Sequence, residues 1–181
     1  MWLRRVFPRV NLQSSDFELF GLTQLFAQDR ATIDARWKEL QREAHPDKFA
    51  AQGAAAQRIA MQWSVRINEA YQRLKDPLKR AAYLCELGGS AINAHSNTAM
   101  PAEFLVQQIQ WREVMEDARS VAELEALSGE LNAARSQLLQ QCEDALDAKQ
   151  NTAQAVAPVR ALMFLDKFSQ DLNQRFEALE S

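Results

Sequence analysis

Glycine and proline are scarce, five of each in 181 residues. Valine, isoleucine and threonine are thin beside alanine, leucine, glutamine, glutamate and arginine, which removes the usual material of strands and their turns. An all-α fold follows, and no stretch offers a place for a sheet. Two cysteines, Cys85 and Cys142, and two histidines, His45 and His95, are too few for a four-ligand structural zinc site without help from carboxylates. No metal or cofactor is expected. The chain has no glycine-rich phosphate loop, so it should hydrolyse no ATP itself. It has no apolar run long enough to span a membrane, and its N-terminus lacks the short apolar core of an export signal. Neither sign of charge dominates: a net charge of -3 gives no case for wholesale nucleic-acid binding. Proteins are the expected partners.

What is present suffices for a sizeable core in one domain or two, since 47% of the side chains are hydrophobic. Both cysteines fall on apolar helical stripes, Cys85 with Leu78 and Ala81, Cys142 with Leu138, and read as small buried thiols. A reducing, cytoplasmic setting fits them. The opening MWLRRVFPRVNLQSS has three arginines and no acid, but Pro8 interrupts any helix, so residues 1–15 read as a loose extension.

Helical periodicity begins after Ser15, with Asp16 expected to cap a short helix carrying Phe17, Phe20 and Leu22. A second helix is predicted from Thr32. Its apolar positions Ile33, Trp37, Leu40 and Ala44 lie within an arc of roughly 60°. Lys38, Arg42 and His45 share the opposite stripe, a basic edge. Beyond Gly53, a third helix sets Ile59, Trp63, Ile67, Ala70 and Leu74 on one stripe, ready to lie antiparallel to the second. Asp76-Pro77 starts a fourth helix and Gly88-Gly89 ends it, closing a first unit over 16–89. The polar, aperiodic SAINAHSNTAM reads as a linker over 90–100. Helical patterns then run over Pro101 to Arg119, Val121 to about Lys149 and Thr152 to Glu180; their short connections predict a three-helix bundle over 101–181.

Between the second and third helices stands His45-Pro46-Asp47. Proline has no amide hydrogen and disfavours αR for the residue before it, so Pro46 ends the helix and leaves a rigid, exposed tip. There Asp47 can make a charge-assisted contact with a partner arginine, while Lys38, Arg42 and Lys48 supply a basic approach surface and His45 orients the loop or touches the partner. An acid/base reading of His45 and Asp47 is opposed by their setting: the two side chains straddle a proline on an exposed tip, with no pocket, nucleophile or metal evident nearby. Nucleic-acid binding through the same basic edge is opposed by the overall acidic charge.

With FELFGL before it and LKRAAY after it, this constellation resembles the J-domain of DnaJ-type co-chaperones over about residues 16 to 89. HPDKF, RINEAYQRLKDPLKRAAYLCELGG, FLVQQIQWREVME and FLDKF together resemble the HscB family of iron-sulfur-cluster co-chaperones, from Asp16 nearly to the end. The resemblance implies an L-shaped molecule, a J-domain followed by a three-helix bundle. It implies a J-domain that stimulates the ATPase of an HscA-type heat-shock chaperone, with His45, Pro46 and Asp47 required. It also implies a bundle that delivers the cluster scaffold protein of the IscU type. The alternative is a J-domain co-chaperone for a different client. The cysteine-bearing zinc segment of animal relatives is absent, which points to a bacterial type.

Helical phase marks a second surface. Phe104, Trp111, Val114, Met115 and Ala118 fall in an arc of roughly 100° and are expected as the core stripe of their helix. Leu105, Val106 and Ile109 fall elsewhere, among Gln110, Glu113, Glu116 and Asp117. On the last helix Leu162, Leu165, Phe168, Leu172, Phe176 and Leu179 form the core stripe, and Phe164 is expected to point away. An exposed aromatic beside an aliphatic patch reads as an interface. By the family resemblance the scaffold-binding residues are Leu105, Val106, Ile109, Gln110, Glu113, Asp117 and Phe164, with Gln110 standing where an acid is common.

Overall fold

The computed structural model describes residues 11–92 and 100–180, and every regular element among them is helical. The elements are α1 (Asp16–Phe20), α2 (Arg30–Glu43), a 3-10 helix (Pro46–Gln52), α3 (Ala54–Lys75), α4 (Pro77–Leu87), α5 (Ala102–Asp117), α6 (Val121–Glu143) with a π-helical end (Asp144–Ala148), and α7 (Thr152–Glu180). The chain divides into two compact units, Met1–Tyr83 and Leu84–Ser181. The division falls inside α4, some residues before the Gly88-Gly89 stop. His95 and most of the expected linker lie outside the described residues.

In the first unit α2 and α3 form an antiparallel hairpin. Arg30 reaches the Lys75 carbonyl, the Trp37 indole donates to Asn68 (2.9 Å), and Ser64 donates to the Ala44 carbonyl (3.1 Å). Ile33, Leu40, Ala44, Trp63, Ile67, Ala70 and Leu74 are buried between them and their neighbours. Two details differ from the periodicity reading. The second helix begins at Arg30, two residues earlier than expected, capped by Asp29, which accepts from the Ala31 and Thr32 amides. Ile59 is 37% exposed because it sits at the edge of the stripe in the first turns of α3; Ala60 takes the inward place.

The cap of α1 also differs. Ser15 accepts from the Glu18 amide while Glu18 reaches back to the Ser15 amide, a complete capping box. Asp16 is fully buried instead. Its oxygens form ion pairs 2.7 Å from Arg66 Nη1 and 2.8 Å from Arg73 Nε, and Oδ1 also accepts from Arg73 Nη2 (3.4 Å). Arg66 donates in turn to the carbonyls of Leu12 and Ser14, so this end of the expected extension is tied to α3; residues 1–10 lie outside the described residues.

In the second unit Leu124, Leu127 and Leu131 of α6 meet Leu165, Phe168 and Leu172 of α7, with Trp111 from α5 and Ala118, which caps the end of α5. Ser120 and Glu123 form a capping box at the start of α6. The chain before α5 is fastened to the start of α7. Thr152 Oγ1 lies 2.8 Å from Ser90 Oγ, and the approach of Gly88 is so close that an added Cβ would stand 2.4 Å from Thr152 Cγ2. Cys85 and Cys142 are fully buried.

Candidate functional site

The hairpin tip is built by anchors on both sides. Ala44 is buried and bonded to Ser64, and Phe49, 6% exposed, pins the 3-10 helix from below. Between them His45 is extended (φ -61°, ψ 125°) and caps the 3-10 turn: its Nδ1 accepts from the Asp47 amide (3.4 Å) and its carbonyl from the Lys48 amide (3.1 Å). A residue before proline is biased toward this extended conformation, and Pro46 at the first helical position has no amide to leave unpaired. The Asp47 side chain is 89% exposed, with Oδ2 3.7 Å from His45 Nδ1. Its charge is therefore presented to solvent on a fixed backbone.

Lys38 and Arg42 are exposed one turn apart on α2, and Lys48 is exposed on the 3-10 turn. Exposed cations flanking one projecting carboxylate suit recognition of a partner carrying both an arginine and acidic groups.

The α5 face is a separate feature, in the other unit. Val106 and Ile109 are 54% and 57% exposed, and Gln110, Glu113 and Asp117 are exposed with them; Leu105 is half-buried at the edge. Two expectations are corrected. Val114 is 47% exposed, since α5 itself fully buries only Trp111, with Ala118 buried at its C-cap. It joins the outward face as an aliphatic that phase had assigned to the core. Phe164 does not stand clear of the core: it is half-buried, stacked on Phe168 (5.6 Å) and edge-on to Phe104 (5.8 Å), with the Arg112 guanidinium 6.0 Å above its ring. Phase within α7 could not reveal Phe104, which arrives from another helix.

Neither place resembles a reaction centre. Among the described residues no group of three or more acidic, histidine or cysteine side chains could hold a metal ion. Burial pushes the Cys85 thiol up to about 11 and the Cys142 thiol up to about 12, so both stay protonated and unreactive at neutral pH. Among the described residues no helix is long and apolar enough to cross a membrane.

The chain has relatives that match it along most of its length. Residues 100–173 match the family described as the HSCB C-terminal oligomerisation domain. The chain is 47% identical over 174 residues to the co-chaperone protein HscB homolog of Burkholderia thailandensis, covering 94% of this chain and 99% of that protein. It is 46% identical to the Burkholderia multivorans homolog over 95% of this chain and 99% of that one. The solved structure of chaperone HscB from Vibrio cholerae superposes with a TM-score of 0.80 at 32% identity, covering 92% of this chain and 99% of that one. Human co-chaperone HscB superposes with a TM-score of 0.86, covering 92% and 84%, and at 22% identity speaks for the fold alone. An N-terminal J-domain with a projecting His45-Pro46-Asp47 tip, followed by a helical C-terminal domain and matched by relatives along almost their whole length, makes this chain a member of the HscB co-chaperone family.

Proposed function

We propose that the chain delivers an iron-sulfur cluster scaffold protein of the IscU type to an HscA-type heat-shock chaperone and stimulates that chaperone's ATPase, in the cytoplasm. The observation that carries this reading is the Asp47 carboxylate, 89% exposed on a tip whose backbone is pinned by Phe49 and the His45 cap. A carboxylate so presented loses little conformational entropy on meeting an arginine, and the exposed Lys38, Arg42 and Lys48 steer the encounter. In this reading residues 16–89 act on the chaperone. Residues 101–181 hold the scaffold through Leu105, Val106, Ile109, Gln110, Glu113 and Asp117, with Phe164 supporting the edge of that face from its aromatic stack.

Steady-state ATPase assays of an HscA-type chaperone, with this chain and an IscU-type scaffold added separately and together, test the proposal. Stimulation by the chain, increased when scaffold is present, is the expected result. A chaperone that turns over ATP at the same rate with and without the chain overturns it. Stimulation without any binding of the scaffold by calorimetry would assign the chain to another client.

A further inference from the structure

The outward side of α5 carries two parallel ridges of side chains spaced four residues apart, the kind of ridge by which helices pack. One is Leu105, Ile109, Glu113 and Asp117, and all four belong to the proposed scaffold face. The other begins with Val106 and Gln110, which belong to it too, and its next member is Val114, which phase had assigned to the core. Val114 is 47% exposed, close to the 54% of Val106 and the 57% of Ile109, while its neighbour Met115 packs on the core cluster. Residues four apart rise about 6 Å and turn about 40°, so Val114 stands about 12 Å along α5 from Val106 and about 80° round from it. That is the flank opposite Arg112, whose guanidinium lies over Phe164.

The fold gains little from a valine there. β-branched residues are among the weaker helix formers, and a half-exposed side chain adds little to the core. Three such side chains, Val106, Ile109 and Val114, on the outward side of one helix mark a surface that something else covers.

We propose that Val114 is an apolar anchor for the IscU-type scaffold, completing the second ridge and carrying the contact round α5 past Gln110. This inference rests on the proposed function and extends its scaffold face. The scaffold is the occupant because Val114 is continuous with that face: it stands one turn from Gln110, one turn from Asp117 and beside Glu113. From Val106 through Gln110 to Val114 the second ridge carries no charge, whereas Glu113 and Asp117 end the first. The groove between them thus has one aliphatic and one acidic wall at this level. It fits a scaffold segment that presents an aliphatic side chain toward Val114 and a cation toward the carboxylates.

Calorimetric titration of an IscU-type scaffold into the whole chain tests the assignment, with Val106→Ala/Ile109→Ala reporting on the face in general. Val114→Ala should weaken binding about fivefold to fifteenfold, as expected for losing two methyl groups at a contact, and Val114→Thr, which keeps the shape but exchanges a methyl for a hydroxyl, about threefold or more. Val114→Ile, which keeps the apolar contact, should bind within about twofold of wild type. All three should keep the wild-type melting temperature, because the position is half exposed. Wild-type affinity in Val114→Ala and Val114→Thr, when Val106→Ala/Ile109→Ala binds weakly, overturns the assignment and leaves the proposed function standing. A wild-type chain that binds no scaffold overturns both. Weakened binding matched by a lowered melting temperature in both variants would make Val114 a support of α5 and would also overturn it.

Discussion

At the scale of single residues, Asp47 and the two thiols make opposite use of their surroundings. Asp47 is held outward, so Asp47→Asn should leave the melting curve unchanged while abolishing stimulation of the partner ATPase, because a neutral isostere cannot form the charge-assisted contact. Wild-type stimulation by the folded variant would disprove its role. Cys85 and Cys142 are held inward and protonated. An unfolded thiol begins to ionise near 9.0, whereas the folded ones wait until about 11 and about 12, so the folded chain binds more protons in between. Their contribution to stability is whole below pH 9.0 and is lost as the pH rises toward the folded values. In urea unfolding at about pH 8 and about pH 10, a Cys85→Ala/Cys142→Ala variant should therefore lose less stability between the two than the wild type.

Among elements, α5 separates what is merely visible from what is bound into the core. Val106→Ala/Ile109→Ala should change stability by less than about 0.5 kcal/mol per site, since both side chains are more than half exposed, yet weaken scaffold binding tens-fold in calorimetry. Phe164→Ala should cost about 2 kcal/mol of stability, because its ring is stacked within the aromatic cluster. Equal melting curves for the two variants would show that this cluster contributes nothing. The hairpin and the three long helices were legible because α2 and α3 keep a strict apolar period: Ile33, Leu40, Trp63, Ile67 and Leu74 all face inward as their spacing requires. Ile59 and Val114 were misread for a common reason. Phase gives a direction around one axis; it does not tell how far a neighbouring helix extends or how wide a strip it covers. The exposed tip was legible from Pro46 alone, whereas the cap made by His45 depends on a side-chain rotation that no spacing encodes.

For the molecule as a whole, charge is distributed against its total. The chain carries a net -3, yet Lys38, Arg42 and Lys48 flank the tip as exposed cations. Attraction of this kind acts on encounter more than on the finished complex and is screened over about 8–10 Å at ordinary ionic strength. Lys38→Glu/Arg42→Glu should thus slow association with the chaperone in stopped-flow measurements, with dissociation changed far less, and added salt should slow the wild type in the same way. An association rate indifferent to salt would reduce the basic edge to a solvated helix face.

The meeting of Gly88 with Thr152 has a genetic consequence. Position 88 has no room for a methyl group, because it would press on a β-branched side chain with one stiff torsion: Cγ2 at 2.4 Å, Oγ1 at 2.6 Å and Cβ at 2.9 Å. The fitness of the two codons is therefore coupled, although they lie far apart in the gene. Under selection for function, Gly88→Ala should be rejected alone and recovered together with Thr152→Gly, which removes all three atoms; Thr152→Ser keeps two of them and should not rescue. Sequencing the survivors of a library randomised at both codons reads this epistasis directly, and free recovery of Gly88→Ala beside an intact Thr152 would show that the neighbouring helix yields.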